Sequence, residues 1–167
     1  MFAENAEKEG SKVETVAGKW VCRLILAVYL LILCYFLFFS ELMGRTEGQG
    51  YYMYNLVPFR EICRFIRHWQ VIGLQMTIVN LAGNVLCFVP FGLLIPYNFS
   101  HMRHPAGVTA LSCLFSVVIE TMQLLFQVGC FDVDDILLNT LGGFLGILCY
   151  WMLEGSSLHF SAEKRNV

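Results

Sequence analysis

Four long apolar runs dominate the pattern of hydrophobic and polar positions along the chain. They extend over about residues 20–43, 71–97, 106–128 and 133–153. Each run is long enough to cross the roughly 30 Å hydrocarbon core of a bilayer as a helix. The strands of a membrane barrel would instead alternate apolar and polar residues over about ten positions. The pattern therefore predicts an all-α membrane protein with about four transmembrane helices.

A shorter amphipathic segment separates the first two runs. Pro58 suits the first turn of a helix, and Arg60, Arg64 and Arg67 then recur four and three residues apart, opposite the apolar side chains. A helix with one charged and one apolar face lies in the membrane interface with its apolar face in lipid. The segment predicts an interfacial amphipathic helix over about residues 58–69. A solvated connector gives the same pattern, and it is the expected role of Arg64 and Arg67.

The polar ends and loops carry unequal numbers of basic residues. Four spans place both termini on one side, with polar tails over residues 1–19 and 154–167, and the first tail is expected to lack regular structure. Lys and Arg near span ends are retained on the cytoplasmic side. The side of the termini carries seven basic residues and the other side four: Lys8, Lys12, Lys19, Arg23, Arg103, Lys164 and Arg165, against Arg45, Arg60, Arg64 and Arg67. This bias predicts that both termini are cytoplasmic.

Composition excludes several classes of protein. The 167 residues are 57% hydrophobic and 14% charged, whereas ordinary soluble domains are about 25% charged. A net charge of −2 without a dense Lys/Arg tract does not predict nucleic-acid binding. The seven cysteines occur singly, without the paired spacing of zinc or thiol-redox sites, and His101 and His104 form an isolated pair. We therefore expect neither a metal nor a cofactor. The expected partner is the lipid bilayer.

Polar side chains inside the last three spans gather toward one end of each span. They recur at helical spacing on one face of each helix: Asn80 and Asn84, then Glu120 and Gln123, then Asp135 and Asn139, with Asp132 and Asp134 nearby at the entrance of the fourth span. With the predicted orientation, this is the outer end. A carboxylate at such a depth costs about 2.5–3.5 kcal/mol on insertion scales, so Glu120 is expected to face protein or water rather than lipid.

Two interpretations of these side chains stay open. Amides and carboxylates can hold membrane helices together through hydrogen bonds of about 0.6 kcal/mol each, and Asn80 and Asn139 fit this role as well as a functional one. Glu120, Asp134 and Asp135 favour function, because converging carboxylates repel one another unless a cation, proton or ligand compensates. We expect them to line an outward-facing polar vestibule.

Two further features of the spans are structural. Pro90 lies within the second run and removes a backbone hydrogen bond, which predicts a kink or the end of the regular helix. Gly142, Gly143 and Gly146 supply the spacing of small residues that lets two helices approach closely. The fourth span is therefore expected to pack tightly on a neighbour.

The order of these motifs resembles the VanZ-like family of bacterial membrane proteins. Four motifs agree in order and spacing: residues 55–60 (NLVPFR), 83–92 (GNVLCFVPFG), 119–123 (IETMQ) and 132–143 (DVDDILLNTLGG). The resemblance implies a location in the bacterial cell membrane. For the founding member it implies raised resistance to teicoplanin, a lipoglycopeptide antibiotic that acts outside the membrane. It implies no agreed catalytic mechanism.

The resemblance and the vestibule together predict a factor that engages a lipophilic or lipid-anchored molecule at the outer leaflet and lowers susceptibility to teicoplanin-like drugs. Arg60 would meet an anionic headgroup and pair with the carboxylates, Asn84 and Gln123 would supply neutral hydrogen bonds, and the carboxylates would hold a cation or the drug's amine. The alternative is an intramembrane enzyme acting on a lipid or a lipid-linked cell-wall precursor, with a carboxylate as general base. The outer half offers no clear nucleophile–base pair for it. Ion transport would need polar access at the inner ends of the spans, which supply almost none.

Overall fold

Five helices and two short strands make up the part of the chain that the computed structural model describes, residues 2–43 and 54–163, with side chains for residues 18–38 and 54–154. In chain order the elements are α1 (Phe2–Met43), β1 (Tyr54–Asn55), α2 (Arg60–Ile72), α3 (Leu74–Asn98), α4 (Pro105–Leu125), β2 (Phe131–Asp132) and α5 (Val133–Glu163). Four helices contain segments long and apolar enough to cross a membrane: Gly18–Phe38, Leu74–Asn98, Pro105–Leu125 and Val133–Glu154. The predicted all-α membrane protein with four transmembrane helices is confirmed.

The first and last helices continue beyond these membrane-length segments. α1 begins at Phe2 and α5 ends at Glu163, so the segment before the first span is helical rather than irregular. That segment is rich in Ala, Glu and Lys, which have high helix propensity, and a helix nucleated by the apolar run therefore propagates into it. Three basic residues used to predict the orientation lie outside the described residues: Arg45, Lys164 and Arg165.

A glycine separates α2 from α3 where the sequence predicts the second span to begin. Gly73 has φ 99° and ψ 137°, a conformation that side-chain-bearing residues rarely adopt, and it ends one helix and precedes the next. The predicted amphipathic helix is present as α2 and buries none of its residues, while its position in the membrane interface stays a prediction. α3 continues through Pro90 to Asn98, so that proline does not end the helix.

Helices α3 and α5 pack backbone against backbone. A Cβ atom added at Gly142 would overlap the carbonyl oxygen of Val85, and one at Gly146 would overlap that of Val89. A Cβ at Gly143 would collide with the hydroxyl of Ser112 on α4. Glycine permits this approach because it has no side chain to separate the helices. The predicted close packing of the fourth span is present.

An apolar core holds the transmembrane helices together. Its buried residues come from all four of them: Leu26 and Leu33, Phe88, Phe91 and Ile95, Val108 and Ile119, and Ile147 and Tyr150. Phe91 stacks on Phe115 with the ring centroids 5.1 Å apart. The Tyr29 hydroxyl on α1 donates a hydrogen bond of 2.6 Å to the carbonyl of Cys87 on α3. This packing holds the helices in fixed relative positions, and with them the helix ends where the polar residues gather.

Candidate functional site

A polar cavity of about 320 Å³ lies at the end of the bundle where α2 meets the beginning of α3 and of α5. Its walls come from both short strands, from α2, α3 and α5, and from the α4–α5 connection. The lining residues are Asn55, Glu61, Arg64, Phe65, Asn80, Cys130, Asp132 and Asp135. We call this space the polar cavity. Three of the sequence-predicted site residues, Asn80, Asp132 and Asp135, face it.

A two-residue parallel strand pair closes one wall of the polar cavity. Tyr54 pairs with Phe131 and Asn55 with Asp132. The side-chain amide of Asn55 donates a hydrogen bond of 3.0 Å to Oδ1 of Asp132, and its own Oδ1 accepts from the backbone N–H of Val57 at 3.2 Å. Asn55 therefore joins the segment before α2 to the start of α5 through backbone and side chain together.

Asp134 caps the N-terminus of α2. Its Oδ1 accepts from the N–H of Phe59 at 2.5 Å, and its Oδ2 accepts from the N–H groups of Glu61 at 2.8 Å and Ile62 at 3.1 Å. The first N–H groups of a helix have no partner within the helix, and a carboxylate there also meets the positive end of the helix dipole. Phe59 has φ 64°, a left-handed conformation that is unusual for a non-glycine residue. Three N–H donors thus compensate the charge of Asp134.

Glu120 lies beneath the polar cavity rather than in its wall. It is 2% exposed, and its Oε2 accepts a hydrogen bond of 3.0 Å from the N–H of Asp132. Asp132 in turn accepts the N–H of Asp134 through Oδ1 at 2.8 Å. The vestibule predicted from Glu120, Asp134 and Asp135 is therefore different in the structure. The carboxylates that line the cavity are Glu61, Asp132 and Asp135, whereas Glu120 and Asp134 accept hydrogen bonds from backbone N–H groups.

The two asparagines of α3 lie along the same edge of the site. Asn84 donates a side-chain hydrogen bond of 2.5 Å to Oδ1 of Asp135. Asn80 lines the polar cavity, and its side-chain amide donates to the carbonyl of Met76 one turn earlier at 2.9 Å. Asn84 therefore orients a carboxylate of the cavity, while Asn80 contributes an amide side chain to its wall.

Gln123 and Asn139 connect helices below the site. The Gln123 side chain donates a hydrogen bond of 2.8 Å to the carbonyl of Leu37, which ties α4 to α1. Asn139 is fully buried and donates to the hydroxyl of Ser116 at 2.9 Å, which ties α5 to α4. Neither lines the polar cavity. The geometry of these two side chains matches the helix-joining interpretation.

Arg64, not Arg60, is the arginine of the polar cavity. Nη2 of Arg64 lies 2.5 Å from Oε2 of Glu61 one turn earlier, and both residues line the space. The side chain of Arg60 is exposed at the start of α2 and is within 4 Å of no carboxylate among the described residues. The predicted pairing of Arg60 with the carboxylates is therefore absent among the described residues, and Arg60 does not line the polar cavity.

Burial raises the pKa of the Asp132 carboxyl above its usual range. Loss of hydration is the largest effect, and hydrogen bonds from the backbone of Asp134 and the side chain of Asn55 oppose it by favouring the charged form. Within the described residues, no group of three or more His, Cys, Asp or Glu side chains is arranged to hold a metal ion. What the site offers is acidic side chains with amide neighbours.

The sequence profile of the VanZ/LLP1 family matches residues 26–154. The chain belongs to the VanZ/LLP1 family. Protein VanZ of Enterococcus faecium is 30% identical to it over 149 residues, which are 88% of this chain and 82% of that protein. No solved structure matches the chain at a significant level. The matched range contains every residue of the polar cavity.

The four motifs that resemble the VanZ-like family meet around the polar cavity. The first contributes Asn55, the second Asn84, the third Glu120, and the fourth Asp132 and Asp135, and the hydrogen bonds above connect them. In this VanZ/LLP1 chain the four motifs therefore form one hydrogen-bonded group of residues, which comes from α3, α4, α5 and the segment before α2.

Sequence reasoning missed several lining residues of this VanZ/LLP1 protein. The sequence indicates Asn55 only as part of a motif and does not distinguish Glu61, Phe65 or Cys130, although all four line the cavity. The one available signal was the position of Asn55 two residues before a turn that leads into Pro58, because Asn at such a place bonds the backbone two residues on. The other three lack any distinctive spacing.

Proposed function

We propose that this VanZ/LLP1 protein lowers the susceptibility of the cell to teicoplanin-like lipoglycopeptides by engaging a lipophilic or lipid-anchored molecule through the polar cavity. The observation that carries the proposal is the polar cavity itself, which lies at one end of the transmembrane bundle and has Asp132 and Asp135 in its walls. Similarity to Protein VanZ of Enterococcus faecium supports it. The predicted orientation places the cavity at the outer leaflet, where such a drug acts.

Size and charge determine what the polar cavity can hold. Small-molecule sites measure roughly 300–1,000 Å³, and at about 320 Å³ the cavity has room for an amine or headgroup-sized part rather than for a whole glycopeptide. Arg64 is already paired with Glu61, so Asp132 and Asp135 leave the lining acidic. A cationic group therefore fits better than an anionic one.

The surroundings of the polar cavity suit the lipophilic part of such a molecule. Ile66 and Trp69 of α2 are 57% and 44% exposed, and α2 carries its apolar and charged residues on separate faces. An amphipathic helix of this kind lies at the boundary of headgroups and acyl chains. A tethered acyl chain would stay in lipid while the polar part entered the cavity.

Antibiotic susceptibility of cells that express the protein tests the proposal. We expect the wild type to raise the inhibitory concentration of teicoplanin more than that of vancomycin, which carries no acyl tail, and Asp135→Asn to remove this protection. Glu154→Gln is the matched control, because its carboxylate pairs with Arg103 at the opposite end of the bundle. Equal membrane levels are verified by immunoblotting. Full protection by Asp135→Asn would contradict the proposal.

The enzyme alternative is favoured by the position of the buried Asp132 in the cavity wall, where burial raises the pKa of its carboxyl, as is common in general acids and bases. Lipid and cell-wall precursor profiles of the same strains distinguish it. Species that change with the wild type, and not with Asp132→Asn or Asp135→Asn, would show catalysis. Protection with unchanged profiles would show binding.

A further inference from the structure

A second, larger cavity of about 620 Å³ lies at the other end of the bundle, which also carries the α3–α4 connection. The first membrane-length turns of α1 form one wall, and the end of α3 with the following connection forms the other. The residues that matter here are Lys19, Arg23, Tyr97, Ser100 and Arg103. We call this space the basic cavity.

Among the residues whose side chains the structure describes, the lining of the basic cavity is cationic: it includes Lys19, Arg23 and Arg103 and no Asp or Glu. Arg103 is 3.2 Å from Glu154 outside the lining. Lys19 and Arg23 are within 4 Å of no carboxylate in the part of the chain that the structure describes. The positive charges of Lys19 and Arg23, together with that of the neighbouring Arg103, favour an anionic ligand.

Aromatic side chains place the basic cavity at the level of lipid headgroups. Trp20, Tyr97 and Trp151 surround this end and are 63%, 50% and 48% exposed. Trp and Tyr concentrate where the hydrocarbon core meets water. The indole N–H of Trp151 donates to the carbonyl of Arg103 at 3.0 Å, which holds the connection at this level. An anion reaching the cavity from the membrane would therefore be a headgroup.

We propose that this end of the bundle binds an anionic phospholipid, with its phosphate among Lys19, Arg23 and Arg103. The lipid binds at the opposite end from the polar cavity and is independent of the molecule that occupies that cavity. With the predicted orientation it belongs to the cytoplasmic leaflet, where basic pockets between transmembrane helices bind anionic headgroups.

Native mass spectrometry of the full chain tests this binding with phosphatidylglycerol and phosphatidylcholine of identical acyl chains. We expect preferential retention of phosphatidylglycerol. Replacing both free cations, Lys19→Gln with Arg23→Gln, lowers its affinity about 30-fold, roughly fivefold for each basic side chain. Arg60→Gln with Arg67→Gln removes the same charge at the other end and is expected to leave the affinity unchanged. Lys19→Arg with Arg23→Lys keeps the charges and the binding.

A soluble anion, glycerol 3-phosphate, separates the headgroup from a free phosphate. We expect millimolar glycerol 3-phosphate to displace little phosphatidylglycerol, and short-chain phosphatidylglycerol to bind more weakly than the long-chain form. Equal retention of the two lipids, or undiminished binding by the Lys19→Gln and Arg23→Gln protein, would overturn the proposal. Displacement by glycerol 3-phosphate would show a phosphate site without a lipid and would overturn it too.

Discussion

Asp134 and Asp135 are adjacent in the chain but have different surroundings. Asp134 is 1% exposed and accepts three backbone N–H groups at the start of α2. Asp135 lines the polar cavity and accepts the side-chain amide of Asn84. Substitution of the first should therefore alter the fold locally, and substitution of the second should alter binding.

Asp134→Asn is expected to destabilise the start of α2. The variant keeps one carbonyl oxygen but loses the charge and the second acceptor, which costs about 1–3 kcal/mol. Thermal unfolding in nanodiscs measures the loss. Hydrogen exchange should accelerate at the amides of residues 59, 61 and 62. Asp135→Asn serves as control, and unchanged exchange at these three amides in Asp134→Asn would contradict the capping role.

The buried carboxyl of Asp132 predicts a dependence of stability on pH. Its folded-state pKa is raised, so its contribution to stability is fully present below the unfolded pKa of about 3.9 and is lost as pH rises through the folded pKa. Asp132→Asn keeps the acceptor oxygen for Asn55 and removes the titration. From about pH 4 upward, the wild type should lose melting temperature relative to this variant. A constant difference across that range would contradict the raised pKa.

At the residue scale, the sequence predicts which side chains gather but not which of them face the cavity. Helical spacing and the motif resemblance bring Asn84, Asp132 and Asp135 to one end of the bundle, and the structure places them there. The roles of Glu120 and Arg60 could not be read in this way. They depend on the direction of the backbone N–H groups in the α4–α5 connection and in α2. The backbone conformation of these segments has no periodic pattern in the sequence.

At the element scale, the contact between α3 and α5 depends on the absence of side chains. Gly142→Ala is expected to destabilise the protein by about 1–3 kcal/mol, because the new methyl group overlaps the carbonyl of Val85. Gly83→Ala is the matched control on α3, since a Cβ there meets nothing within 4 Å and Ala favours a helix over Gly. Thermal unfolding measures both variants. Equal stability of the two would contradict the close packing.

The helices could be predicted because lipid requires long apolar runs with satisfied backbone groups. The sequence predicts the break between α2 and α3 a few residues too early, because apolar residues continue across Gly73 and its backbone conformation separates the helices. The pairing of Tyr54–Asn55 with Phe131–Asp132 has no sequence signature, because two residues cannot show alternation.

At the scale of the whole molecule, the orientation predicted from basic residues decides which leaflet the polar cavity faces. Single-cysteine variants report it: Arg67→Cys on α2 and His101→Cys in the α3–α4 connection, both at exposed positions in an otherwise cysteine-free chain. In intact cells, a membrane-impermeant maleimide should label the first and reach the second only after permeabilisation. The reverse pattern would place the polar cavity in the cytoplasm and contradict action at the outer leaflet.

Photo-crosslinking at the polar cavity tests its role in drug engagement most directly. Benzoylphenylalanine in place of Phe65, which lines the cavity, is compared with the same residue in place of Phe99, exposed at the opposite end of the bundle. The account predicts that teicoplanin crosslinks at position 65 and not at position 99, and that adding Asp135→Asn removes the crosslink. Equal crosslinking at both positions, or none at position 65, would contradict it.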